Sequence, residues 1–197
     1  MSRRTRLLAV GGIVGPAAFV GTWAIAGAAT PGYSLVSNAI SDLAAVDAST
    51  RVAMTTALVV DGLGIIAFGL ACRDVVDGPA WIAAVATGVD TLGVAASPLR
   101  GWTGDQVHAG FAAVSYVATS ALPILAAGPL ARSGRPTWAR ASVAAGVISA
   151  VALLASTAGP AHGLFQRLGL TVADVWIATA AAAIVTRRFP NPALRRR

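Results

Sequence analysis

The residues LLAVGGIVGPAAFVGTWAIAGAA, positions 7–29, contain no charged side chain, and the polar stretch TPGYSLVSNAISDLAA, positions 30–45, follows at once. An α-helix needs about 20 apolar residues to cross the hydrocarbon core of a bilayer. The first stretch therefore predicts a membrane-spanning helix. The second predicts the point at which the chain leaves the bilayer.

The rest of the chain repeats this apolar character. Hydrophobic residues make up 56% of the 197 positions and charged residues 12%, against about 25% charged in soluble domains. The short connections between the apolar stretches predict one compact all-α membrane bundle over residues 1–197, in a single domain. Six spans are predicted, at roughly 7–29, 52–72, 80–99, 107–131, 140–159 and 166–186.

The arginines predict how the bundle is oriented, because positively charged loops stay in the cytoplasm. With the N-terminus inside, only Arg51, Arg100 and Arg167 fall outside. The remaining twelve of the 15 basic residues fall inside, at positions 3, 4, 6, 73, 132, 135, 140, 187, 188, 195, 196 and 197. Both termini are thus predicted to be cytoplasmic, in a multi-pass protein of the inner (plasma) membrane. The net charge of +7 is then explained by topology, with some attraction to anionic lipid. Its distribution argues against nucleic acid as a partner, because a nucleic-acid site needs a clustered basic surface.

The polar stretch after the first span has helical periodicity. From Ser34 onward, the apolar residues Leu35, Val36, Ala39, Ile40 and Leu43 fill one arc of a helical wheel. We therefore predict a short amphipathic helix, little more than two turns long, lying on the outer interface. Its polar face carries Ser37, Asn38, Ser41 and Asp42. That face either meets water or turns inward over the bundle as the rim of a binding site.

The segment PGYSLVSNAISDLAA, preceded by GGIVGPAAFVGTW, resembles a bacterial family of six-span membrane proteins known as domain of unknown function 998. The resemblance extends to VHAGFA at the fourth span and GLFQR at the sixth, and so covers nearly the whole chain. It implies the fold and the topology. It implies no activity and no functional residue.

Three aspartates fall within predicted spans: Asp61, Asp90 and Asp174. Each lies seven to ten residues from an arginine at the outer end of its span, a depth of roughly 10–15 Å at 1.5 Å per residue. A charged Asp at mid-bilayer costs about 2.5–3.5 kcal/mol on insertion scales, so such residues usually face protein or water.

Polar residues at helical spacing accompany two of these aspartates. On the sixth span, Arg167, Thr171 and Asp174 share one helix face, and on the third span Asp90 and Ser97 do. The fourth span has a polar face of its own, formed by His108, Ser115 and Thr119. The polar residues form either a hydrogen-bonded structural core or an outward-opening pocket. In the second case, Arg100, His108, Arg167, Asp90 and Asp174 converge on one cavity in the outer half of the bundle, with Asp61 as the least certain member of its floor.

Three function classes follow from these observations. A protein that binds or transports a lipid-like or anionic amphipathic molecule leads, because Arg suits phosphate or carboxylate groups and buried Asp suits proton or cation exchange. A structural or assembly partner in the cell envelope is second, and a membrane-embedded hydrolase or transferase is third. The single Cys72 and the isolated His108 and His162 lack the ligand set of a zinc site. No cofactor, metal or catalytic residue is therefore predicted.

Overall fold

The computed structural model describes residues 1–102 and 104–188. Thr103 and residues 189–197, which include three of the arginines counted above, lie outside the described residues. The described chain forms six α-helices and one 3-10 helix, Ile40–Ala44, and contains no strand. The α-helices are α1 (Arg3–Ala29), α2 (Arg51–Arg73), α3 (Ala80–Ala96), α4 (Asp105–Arg132), α5 (Pro136–Ala155) and α6 (His162–Val185).

Five of these helices, α1, α2, α4, α5 and α6, are long and apolar enough to cross a membrane. The helix in the predicted third span, α3, has 17 residues and ends at Ala96. It stops before position 99 because Pro98 follows Ser97, and a proline disfavours helical geometry in the residue before it. Ser97 accordingly has φ −120° and ψ 66°.

The helices form a closed ring in chain order. Each helix packs against the next one along the chain, and α6 returns to pack against α1. Neighbouring helices run antiparallel, since Thr5 near the start of α1 donates a hydrogen bond to Asp74, directly after the end of α2. The same pattern joins Trp176 of α6 to Ser142 of α5. A ring of six helices encloses a central axis, and that axis holds the polar residues discussed below.

Two backbone contacts between helices depend on glycine. A Cβ atom on Gly64 would lie 2.5 Å from the carbonyl oxygen of Gly11, and one on Gly88 would lie 2.5 Å from that of Gly62. Larger residues cannot fit there, so α1, α2 and α3 touch backbone to backbone, as small residues allow in membrane helices. The Gly62–Gly88 contact also fixes the rotation of α3 about its own axis.

The segment between α1 and α2 differs from the predicted two-turn amphipathic helix. It contains a turn after Ser34, an extended residue at Ala39 (φ −69°, ψ 152°) and the 3-10 helix. Continuous α-helix fails because tertiary partners take its hydrogen bonds. Arg167 donates to the Leu35 carbonyl, and the Gln166 side chain accepts the Ile40 N–H. We call residues 30–50 the roof segment, because Ile40 and Leu43 lie buried against the helices beneath them.

The bundle has two ends, which we name by what lies there. The roofed end carries the roof segment. The terminus end carries the start of α1, where Thr5 donates a 2.7 Å hydrogen bond to Asp74 beyond α2. A large hydrophobic cluster fills the terminus end, with Phe68, Leu122 and Ile177 fully buried at its centre.

Candidate functional site

A central cavity of about 70 Å³ runs from the roof segment to the middle of the ring. One water requires roughly 10–15 Å³, so the cavity has room for a small polar group or several waters. Five helices and the 3-10 helix line it. Its polar lining residues are Ser41, Asp61, Thr87, Thr91, His108, Ser115, Tyr116, Thr119, Gln166 and Asp174, and its apolar ones are Phe19, Ile40, Leu58, Ile65, Val94, Ala112 and Leu170.

Two carboxyl groups, Asp61 from α2 and Asp174 from α6, face this cavity. Their residues are 4% and 6% exposed, and both line the same small cavity. Asp61 Oδ1 and Asp174 Oδ2 have no hydrogen-bond partner among the described residues. Buried polar atoms in folded proteins nearly always have partners, so an unpaired one indicates strain, a functional role, or a site for a water, an ion or a ligand.

Hydroxyl groups of α3 and α4 form the wall beside the carboxyls. Thr87 donates to the Ala83 carbonyl and Thr91 to the Thr87 carbonyl, both at 2.9 Å. Ser115 and Thr119 of α4 are buried and also line the cavity. The predicted alignment of Ser115 and Thr119 with His108 thus corresponds to one face of α4 that is turned into the cavity.

His108 lies near the beginning of α4 and is 6% exposed. Its Nδ1 is 2.7 Å from the Ser97 carbonyl oxygen. A carbonyl can only accept, so Nδ1 carries a proton and donates, and Nε2 is the ring nitrogen left for other contacts. The described residues show no hydrogen bond between this ring and a serine hydroxyl or an aspartate carboxylate, the arrangement that a hydrolytic triad requires.

Gln166 connects the cavity wall to the roof segment. Its Oε1 accepts the Ile40 N–H at 2.7 Å, and its Nε2 donates to the Tyr116 hydroxyl at 2.6 Å. Gln166 lines the cavity together with two other residues of α6, Leu170 and Asp174, which follow it at i+4 and i+8 on the same helix face. The predicted face through Arg167 and Thr171 is displaced from it by one position.

Arg167 is buried but does not line the cavity. Its Nη1 donates to three carbonyls, those of Leu35, Asn38 and Gly163, at 2.8–2.9 Å. Its Nη2 donates to the Tyr33 hydroxyl, and its guanidinium lies over the Tyr33 and Trp23 rings. Burial raises the pKa of the Tyr33 hydroxyl, and Arg167 opposes that shift. Arg167 holds the roof segment to α6, so the predicted position at a pocket mouth is wrong.

Arg100 lies on the surface of the roofed end, outside the cavity. Its Nε donates to Asp47 Oδ1 at 2.8 Å, and its Nη1 is 3.6 Å from Asp42 Oδ1. The Arg100 hydrogen bond holds the pKa of Asp47 below its usual range. Arg100 thus links the α3–α4 connection to the roof segment, because both of its carboxylate partners, Asp42 and Asp47, belong to the roof segment.

Asn38 and Asp42 do not reach the cavity, although the inward interpretation placed them at its rim. Asn38 Oδ1 accepts the Ser34 N–H at 2.8 Å, and Asp42 Oδ2 accepts the Ala39 N–H at 3.0 Å. Both side chains satisfy the backbone of the broken roof segment itself. Ser41 is the roof residue of the predicted polar face that does line the cavity.

Asp90 is half-buried and stands away from the cavity. It shares a helix face with Gly93 and Ser97, and that face meets α4, where Gly93 approaches Phe111. The face of α3 that lines the cavity carries Thr87, Thr91 and Val94. The predicted convergence therefore holds for His108 and Asp174, with Asp61 as a third member, and is wrong for Arg100, Arg167 and Asp90.

Gln166, Tyr116, Thr87 and Thr91 are the cavity residues that the sequence analysis missed. Thr87 and Thr91 stand four residues apart in an apolar helix, which places them on one face. This spacing is a sequence signal that could have identified both threonines as part of a polar face. No such signal identified Tyr116 and Gln166, because their hydrogen-bond partners, each other and the Ile40 N–H, lie far away in the sequence.

A protein family described as "Protein of unknown function (DUF998)" matches residues 13–183 of the chain. The chain belongs to the DUF998 family. This match confirms the resemblance to the family and covers four whole helices, α2 to α5, and most of α1 and α6. A search of curated proteins and a search of solved structures find no match to this DUF998 chain.

Proposed function

We propose that this DUF998 protein is a multi-pass membrane protein that binds, and carries, a small polar molecule or the polar head of an amphipathic one in its central cavity. The observation that carries the proposal is the pair of buried carboxyls, each with an unpartnered oxygen, that line the same cavity from α2 and α6. Most buried polar atoms in a structural core are paired. Leaving them unpaired costs stability, and such costs persist where a site needs them.

The proposed placement has six spans, with both termini in the cytoplasm of the cell and the roof segment at the outer surface. The 17-residue α3 counts as a span because it is packed in the ring between α2 and α4. Its length lies at the lower end of the range for spanning helices, about 17–25 residues. The arginine distribution supports the direction. Labelling from outside should reach Asp47→Cys but not Arg135→Cys in a Cys72→Ala background, and the reverse result would invert this placement.

The structure supports a different ligand charge from the one predicted. Arg100 and Arg167 suggested an anionic molecule, but neither side chain lines the cavity. Both guanidiniums are engaged by partners outside the cavity, Arg100 by Asp47 and Arg167 by carbonyls. The acidic groups that line the cavity are Asp61 and Asp174, and no arginine lines it. An anion would add repulsion there, whereas a proton or a cation would relieve it. The volume of about 70 Å³ also excludes a whole lipid molecule.

The assembly role remains the second hypothesis and makes a different prediction. If the protein only scaffolds partners, the cavity residues tolerate substitution and the exposed helix faces do not. Catalysis stays third, because the His108 ring is held by a backbone carbonyl.

Native mass spectrometry of the gently extracted protein tests the proposal. Ala112 lines the cavity, whereas its neighbour Ala113 is exposed on the outside of α4. The substitution Ala112→Leu should fill the cavity and remove a co-purifying small mass. Ala113→Leu adds the same atoms on the outside and should retain it. If no bound mass distinguishes the two variants, the cavity is not a binding site.

A further inference from the structure

The central cavity is rich in hydrogen-bond acceptors. When ionised, Asp61 and Asp174 can only accept hydrogen bonds, and one oxygen of each has no partner among the described residues. The lining contains no Arg, and the chain contains no Lys. A ligand that satisfies these oxygens must therefore supply donors.

The neighbouring threonines add acceptors. The hydroxyl protons of Thr87 and Thr91 are already donated to carbonyls of α3, at 2.9 Å each. Their oxygens keep lone pairs on the side that lines the cavity. The same holds for His108, because its Nδ1 proton goes to the Ser97 carbonyl and a neutral ring offers Nε2 as an acceptor.

Few donors remain on the walls to compete. The Gln166 Nε2 donates to Tyr116, and Gln166 Oε1 is taken by the Ile40 N–H. The hydroxyls of Ser41, Ser115, Tyr116 and Thr119 can donate or accept. The cavity thus combines two carboxyls, at least three further acceptors and adaptable hydroxyls with one apolar side formed by residues such as Phe19, Leu58 and Leu170.

From this inventory we propose that the ligand class is a protonated primary amine with a short hydrocarbon part. This inference rests on the proposed function. An ammonium group presents three donors on a compact positive charge, which matches two carboxyls and the threonine oxygens. Its charge offsets the negative charge of Asp61 and Asp174 in their ionised forms, and its carbon chain suits the apolar side. A volume of about 70 Å³ limits the bound part to the ammonium and a few carbons.

Three probes with the same four-carbon chain test the charge: n-butylammonium chloride, n-butanol and sodium butyrate, at pH 7 and constant ionic strength. Ligand binding raises the unfolding temperature by mass action, which the five tryptophans report through fluorescence. We expect stabilisation by butylammonium alone. Equal stabilisation by butanol or butyrate overturns the amine proposal, and so does equal stabilisation by sodium chloride in place of butylammonium.

Substitutions locate the effect. Asp61→Asn and Asp174→Asn should each weaken butylammonium binding, measured by calorimetry, by about tenfold or more, the loss expected for one charged hydrogen bond. Asp90→Asn is the matched control, since it removes a carboxylate of the same type at mid-helix outside the cavity. Equal loss in all three variants would overturn the assignment to this cavity.

The amine proposal and the binding proposal fail in different ways. A co-purified molecule without a basic nitrogen, retained in wild type and lost in Ala112→Leu, refutes the amine and leaves the cavity as a binding site. The absence of both a co-purified mass and a response to butylammonium refutes both.

Discussion

The two ends of the helix ring are filled in opposite ways. At the terminus end, apolar side chains leave a residual space of only about 10 Å³ beside Cys72, and the buried Trp176 Nε1 is satisfied by Ser142 at 2.9 Å. At the roofed end, a cavity of about 70 Å³ contains two carboxyls with unpartnered oxygens. The terminus end therefore contributes more to the stability of the fold than the roofed end, where a polar cavity replaces part of the apolar packing.

The largest effect should come from opening the packed end. Phe68 is fully buried at its centre, so Phe68→Ala should lower the free energy of unfolding by about 3–5 kcal/mol, the usual loss for a core phenylalanine. Thr119→Ala, on the cavity wall, should cost about 1 kcal/mol, because the space it opens adjoins space that already exists. Reversible unfolding in detergent, followed by tryptophan fluorescence, measures both. Comparable losses would remove the contrast between the two ends.

The next largest effect concerns the attachment of the roof segment. Arg167→Lys replaces a planar fork, bound to three carbonyls and Tyr33, with a single point charge. We expect a loss of about 2–3 kcal/mol, as for hydrogen bonds made by charged groups. Hydrogen exchange should rise over residues 33–44 before it rises in α2. Arg51→Lys, an exposed arginine at the same end of the bundle, should change neither quantity.

A smaller effect, of the opposite sign, is expected for the cavity carboxyls. Because one oxygen of each has no partner, Asp61→Asn and Asp174→Asn should leave the ligand-free protein unchanged within about 1 kcal/mol, or stabilise it. Chemical denaturation without added amine measures this. A loss as large as that of Phe68→Ala would show that the carboxyls hold the bundle together.

The smallest effect should come from the exposed Arg100–Asp47 pair. Hydrogen bonding to Arg100 lowers the pKa of Asp47, so its contribution is present above the ordinary carboxyl pKa and is lost as pH falls through the lowered value. Asp47→Asn should therefore lower the unfolding temperature slightly at pH 7 and not at all at strongly acidic pH. High salt should shrink the difference. A pH-independent loss would assign Asp47 a role other than its charge.

Much of the fold follows from hydropathy, which is local along the chain. The apolar stretches predicted helices close to those that form, and the His108–Ser115–Thr119 spacing predicted one inward face of α4. The rotation of α3 about its own axis could not be predicted from the residues of α3 alone. Asp90 and Ser97 do share a face, but the Gly62–Gly88 backbone contact rotates that face toward α4. Asp61 has no polar neighbours on its own helix, since its cavity companions come from α3, α4 and α6.

The roof segment shows most directly what the sequence determined and what it did not. The sequence determined that the chain turns polar and helix-breaking at Pro31 and Gly32 and places apolar residues at helical spacing after Ser34. The tertiary structure decided the conformation. Arg167 takes the Leu35 carbonyl, Leu164 N–H takes that of Val36, and Gln166 takes the Ile40 N–H. A helix would have paired those groups locally, whereas more distant partners on α6, fixed in place by the packed ring, satisfy them without it.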